Sequence, residues 1–201
     1  MNIDRNMLRI NKSNTEQAML ESCRKGKPEA QRELYERFAP KMMGVCMRYV
    51  HDRDEAEHIM IGGMVKVFEK LNQFNEEGSF EGWIRRIMVN ESLMYIRKNK
   101  NMSLEVEIES VDSNPNYHQL EESLEANDLL MLISELPVGY RTVFNLYAIE
   151  GYNHKEIAEM LDINENTSKS QLSRARKYLQ NRLEGLQKSI IEKGENNGSN
   201  K

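Results

Sequence analysis

NHKEIAEMLDINENTSKSQLSRARKYL, residues 153–179, holds two short amphipathic helices and the turn between them. Ile157 and Leu161 recur at helical spacing and share one face of the first helix. Ala158 is small, as suits a position where two helices cross closely. Asp162 marks the turn, Ile163 is an apolar plug between the helices, and Asn164 is a good N-cap for the second. Leu172, Ala175 and Leu179 continue the buried face, while Lys169, Ser170, Ser173, Arg174 and Lys177 point outward. A helix-turn-helix of this kind presents side chains to base edges in a major groove. An ordinary helical hairpin with a cationic face is the plainer reading. The agreement of turn, cap, small residue and basic face favours DNA.

Working outward, Pro137 opens a helix with Val143, Phe144 and Tyr147 inward, and Leu129, Leu130, Leu132 and Ile133 lie on the helix before it. This second helical set, over 123–184, is followed by a polar tail, 185–201. From Ser103 to Glu135 there are nine acidic residues and no Lys or Arg. Within that stretch, 101–122 reads as an acidic linker with Pro115 and several Asn and Ser. Upstream, 15–100 is predicted as a bundle of four helices, after a disordered segment over 1–14. The first helix runs from about Glu16 to Arg24 and stops at the Lys25-Gly26 turn. Pro28 opens the second, whose apolar face is Leu34, Phe38, Val45 and Tyr49. The last, capped by Ser79 or a neighbour, contains Trp83, Ile84, Met88, Leu93 and Ile96. With only 11 Gly and 4 Pro in 201 residues, and short β-branched runs, the whole chain reads as all-α, two small helical domains joined by the linker.

The same inventory excludes much. No Walker A, GxGxxG or GxSxG pattern occurs, so neither enzyme chemistry nor a cofactor has a foothold. Cys23 and Cys46 form no CxxC pair and read as buried reduced thiols, and Cys46, His51 and His58 lack metal-ligand spacing. No apolar run reaches the roughly 18 residues of a membrane span. MNIDRNMLRINKSN lacks a signal-peptide core, which points to the cytoplasm. A net charge of −4 argues against nucleic acid, but its distribution argues for it. Arg85, Arg86, Arg97 and Lys98 cluster before the acidic stretch, and Lys169, Arg174, Arg176 and Lys177 cluster after it.

FNEEGSFEGWIRRIMVNESLMYIRKN (74–99) resembles regions 2.3 and 2.4, and LPVGYRTVFNLYAIEGYNHKEIAEMLDINENTSKSQLSRARKYL (136–179) resembles region 4, of bacterial sigma-70 family sigma factors of the extracytoplasmic-function (ECF) group. The resemblance covers about residues 15–184. It implies a transcription initiation factor, without catalytic residues, that binds RNA polymerase core and directs it to promoter DNA, with an anti-sigma factor as a further partner. It implies that Lys169, Ser170, Ser173 and Arg174, with Arg176 and Lys177 beside them, meet the minus-35 duplex. It implies that a base flipped from the melted minus-10 strand enters a pocket formed by the loop Phe74–Phe80 and the following helix. Asn90 holds the base-contacting position there, and Arg85, Arg86, Arg97 and Lys98 supply a cationic track. Trp83 is either core packing or part of the strand lining. The linker either threads along the polymerase or is a solvated tether.

EAEHIMIGGMVKVFEKL (55–71) resembles region 2.2, the helix that grips the polymerase's largest subunit. The family pattern there is close to EDxxQ followed by Asp or Glu. Glu57 remains, but His58, Ile61 and Gly62 replace the acid, the amide and the second acid, and Met64 stands where an aromatic is usual. Two readings therefore compete with a working sigma factor: a DNA-binding regulator independent of core polymerase, and a sigma-like decoy with weakened core binding.

Overall fold

The computed structural model describes residues 5–99 and 126–198, with side chains over 15–99 and 129–185. Every regular element among the described residues is helical, in agreement with the all-α reading. The chain divides into two units, Met1–Ile96 and Arg97–Lys201. The expected linker, 101–122, lies outside the described residues.

The first unit contains α1 (Arg5–Arg24), α2 (Pro28–Tyr49), α3 (Arg53–Glu69), a single 3-10 turn (Leu71–Gln73) and α4 (Phe80–Lys98). Its helix ends obey local chemistry. Gly26, at φ +71°, turns the chain after α1, and Pro28 enters α2 where its missing N–H costs nothing. Asp52 accepts from the N–H groups of Asp54 and Glu55, both at 3.0 Å, and starts α3. Ser79 Oγ accepts from Gly82 N at 3.1 Å and starts α4. The expected apolar face of α2 is inside: Leu34, Phe38, Val45 and Tyr49 are all buried. Ile84, Met88 and Ile96 of α4 and Ala56, Met64 and Val67 of α3 complete the interior. Cys23 and Cys46 are free and buried, and burial pushes the Cys46 thiol up to about 11.

The adjacent glycines of α3 have different reasons. A Cβ on Gly63 would clash with the tip of the Met88 side chain of α4, so its absence leaves room for that side chain. A Cβ on Gly62 would meet nothing within 4 Å.

The second unit contains α5 (Ala126–Ser134), α6 (Val138–Phe144), a π turn (Asn145–Ile149), α7 (His154–Leu161) and α8 (Glu165–Gly198). Leu132, Ile133 and Leu136 bury against Ala175, Leu179 and Leu183 of α8. Arg141 is buried and ties α5 to α6, its Nη1 donating to Ser134 O (3.2 Å) and Leu136 O (3.1 Å). Burial lowers its guanidinium to about 10.

Two expectations are corrected, at the start of α1 and at Tyr147. Helix α1 begins at Arg5, so the stretch expected to be disordered over 1–14 is helical from that residue. No Gly or Pro occurs before Gly26, and a helix nucleated downstream propagates back through such a segment one hydrogen bond at a time. Helix α8 runs on into the polar stretch expected from 185 and ends at Gly198; no Pro interrupts it, though Gly185 and Gly194 lie within it. Tyr147, expected inward, is 37% exposed, and Leu146 is fully buried in its place. The π turn widens the helix there and changes the phase on which a regular repeat depends.

Candidate nucleic-acid interface

The helix-turn-helix is built from its ends. Asn153 and Glu156 form a capping box that starts α7: Asn153 Oδ1 accepts from Glu156 N (3.0 Å), and Glu156 Oε2 accepts from Asn153 N (2.8 Å). Asp162 takes the left-handed conformation, φ +55°, and Ile163 N donates back to Ala158 O at 3.1 Å. Asn164 Oδ1 then accepts from Asn166 N at 2.8 Å and starts α8, as its N-cap role requires. Ile157, Leu161, Leu172, Ala175 and Leu179 are buried, and Ala158 and Ile163 are half-buried between them.

This register turns one face of α8 outward. Lys169, Ser170 and Lys177 are exposed, with Ser173 and Arg174 half-buried beside them. Lys169 pairs with Glu165 at 2.6 Å, one turn earlier. The pair is exposed, so it contributes little to the fold. Arg176 is placed differently: it flanks the buried stripe, with Cζ 5.6 Å from the ring centre of Tyr147. Tyr147 stacks on His154 at 4.7 Å, and His154 Nδ1 lies 3.0 Å from the buried Ser168 Oγ. Burial and then Lys169 hold His154 below its ordinary value of 6.5, aided by Arg176 and opposed by Glu165. Sequence reading missed this cluster, because the π turn that brings Tyr147 to His154 has no sequence signature.

Trp83, Arg86, Asn90 and Arg97 recur at intervals of three, four and seven residues and share one face of α4. Arg86, Asn90 and Arg97 are exposed, as are Met94 on the same face and Lys98 at the helix end. Arg85 is separated from this stripe. It is spaced with Met88, Val89 and Ser92, all buried, and its own Nε is buried. Trp83 is half-buried, stacked on Phe80 at 5.7 Å and tilted against Phe74 at 5.6 Å. Phe74 and Phe80 are themselves buried. The loop between them carries two residues at positive φ, Glu76 (+65°) and Gly78 (+92°).

On α3, Glu57, His58 and Ile61 are exposed and Gly62 is half-exposed on the same face. Val65, which sequence reading missed, joins them at 51% exposure, with Ile61 at 44%. Its place one turn after Ile61 is the signal that could have found it. Among the described residues no three His, Cys, Asp or Glu side chains group as metal ligands would, and no helix is long and apolar enough to cross a membrane.

Two family models match the chain: the one described as Sigma-70 region 2 over residues 34–102, and the one described as Sigma-70, region 4 over residues 126–179. The chain is 26% identical over 186 residues to the ECF RNA polymerase sigma-E factor of Haemophilus influenzae, covering 86% of this chain and 97% of that one. It is 25% identical over 185 residues to the ECF RNA polymerase sigma-E factor of Escherichia coli, covering 86% and 96%. It is 25% identical over 184 residues to the RNA polymerase sigma-H factor of Pseudomonas aeruginosa, covering 85% and 95%. Among solved structures, the sigma factor RpoE of Bartonella quintana, in complex with the anti-sigma factor NepR, aligns at 24% identity with a TM-score of 0.47, over 76% of this chain and 96% of that one.

The chain belongs to the sigma-70 family of RNA polymerase sigma factors, in its ECF group. It is a promoter-directing transcription factor, a partner of RNA polymerase core and of promoter DNA. The region 2 match spans the divergent segment 55–71, and the decoy reading is not favoured.

Proposed function

We propose that α8 reads the minus-35 duplex through Lys169, Ser170, Ser173, Arg174 and Lys177, with Arg176 contacting the flanking backbone, and that α4 captures the melted minus-10 strand. The observation that carries this reading is the single outward stripe of Trp83, Arg86, Asn90 and Arg97, set on a buried aromatic cluster. A single strand needs a surface on which a base can stack, a polar group at base-edge height and cations for its phosphates. Trp83, Asn90 and the two arginines are those groups, and Lys98 extends the cationic track. Arg85, also expected in the cationic track, is half-buried and lies off the stripe. The face of α3 bearing Glu57, His58, Ile61 and Gly62 docks on core polymerase, with Ile61 and Val65 giving an apolar contact where the family pattern is polar.

The chain supplies binding energy for recognition and melting, acts in the cytoplasm and has no catalytic residue of its own. An anti-sigma factor is a further proposed partner, on the strength of the family alone. The test is Asn90→Ala. A flipped base is available only after melting, so the variant forms closed complexes normally and opens poorly. Permanganate reactivity of unpaired thymines, read beside a closed-complex footprint, separates the two steps. Normal opening by the variant removes Asn90 from the strand site.

A further inference from the structure

We propose that Arg24 and Gln17 of α1 are positioning residues for strand capture, acting through the loop Phe74–Phe80. The proposal rests on the reading of that loop as part of the strand site.

The loop is held in a conformation that its residues do not favour by themselves. Glu76 is not glycine, yet it sits at φ +65°. L-residues visit this region infrequently because Cβ crowds the following carbonyl; inside the loop Asn75 Oδ1 accepts from Glu77 N at 3.4 Å, and a further contact from outside favours the conformation. The contact comes from α1. Gln17 and Arg24 are seven residues apart and therefore share a face of that helix. Gln17 Nε2 donates to Glu76 Oε2 at 3.2 Å. Arg24 Nη1 lies 3.9 Å from Glu76 Oε1, so each carboxylate oxygen has its own partner. The same guanidinium donates through Nη2 to Phe74 O at 3.0 Å. One guanidinium thus hydrogen-bonds the loop's first residue and lies at ion-pair distance from its strained residue, a placement that the point charge of a lysine does not reproduce.

The consequences are geometric and electrostatic. Fixing Phe74 fixes the ring against which Trp83 tilts, 5.6 Å away, and so the angle at which Trp83 meets a base. Glu76 and Glu77 place two carboxylates beside a polyanionic strand. Arg24 offsets the first of them, so the loop approaches phosphates with less repulsion.

The experiment uses full-length chain with core polymerase on duplex promoters substituted at each minus-10 position. Opening is read by permanganate, and discrimination is the ratio of opening between native and substituted promoters. Arg24→Ala is expected to lower discrimination at the captured position at least fivefold and to slow opening, with minus-35 protection and core affinity unchanged. Arg24→Lys keeps the charge but not the guanidinium, and is expected to recover only part of the loss. Unchanged discrimination and opening in Arg24→Ala overturns the proposal. Should Arg24→Ala unfold the first unit, Gln17→Ala replaces it, with a loss of discrimination in the same direction expected and unchanged discrimination and opening fatal. Asn90→Ala runs in parallel. A defect in Asn90→Ala without one in Arg24→Ala sinks the tether alone, whereas normal opening in both sinks the strand-capture reading itself.

Discussion

Gly62 and Gly63 are neighbours in sequence with separate physical roles. Gly62 faces open space, so Gly62→Ala removes backbone freedom and is expected to stabilise the first unit by roughly 1 kcal/mol. Gly63→Ala gains the same propensity but must displace the buried tip of Met88, so its gain is smaller or reversed. Urea unfolding midpoints of the two variants check this, and equal shifts would show that α3 and α4 do not depend on the glycine contact. His154 gives a second prediction at this scale. Its folded value lies below 6.5, so between the two values the unfolded chain binds more protons than the native one. Stability present above about pH 6.5 is therefore lost as pH falls towards the folded value. Thermal melts from pH 7.5 downward are expected to show a steeper loss in the native chain than in His154→Gln, and parallel curves would contradict the assignment. Neither effect was legible in the sequence, because Met88 and Ser168 become neighbours of these residues only through tertiary packing.

At the scale of the element, α8 was the most legible part of the molecule. Cap, turn and apolar spacing are local, and Asn164, Asp162 and Leu172 stand where a one-dimensional reading puts them. The basic cluster on α4 was legible as composition but not as geometry. Arg85 and Arg86 are adjacent, and only the buried spacing of Met88, Val89 and Ser92 shows that one of them faces away from the stripe. The Arg24–Glu76 contact was not legible at all, since nothing in a sequence pairs an arginine with a carboxylate on a distant loop. For α8 itself, Lys169→Ala and Arg174→Ala are each expected to weaken minus-35 duplex binding by roughly 1–3 kcal/mol if the contacts are to bases. Lys169 is exposed and its ion pair contributes little to the fold, so the melting of Lys169→Ala should match the native chain. Footprints of both variants on one promoter are the measurement, and undiminished protection would mean that another face of the helix meets DNA.

At the scale of the whole molecule, a chain with net charge −4 can bind a polyanion because Arg86, Arg97 and Lys98 on α4 and Lys169, Arg174 and Lys177 on α8 form local basic clusters outside the acidic stretch. Joined in one chain, two such clusters gain avidity on a promoter whose elements they can engage together. On the proposed reading, the divergent face of α3 decides whether that recognition is delivered to polymerase. The most direct measurement is run-off transcription with purified core polymerase and the full-length chain on a set of genomic promoters. The account predicts specific transcripts from a restricted subset of promoters, dependent on the chain and reduced by Asn90→Ala. No specific initiation above core enzyme alone, from a chain that still binds the minus-35 duplex, would contradict it.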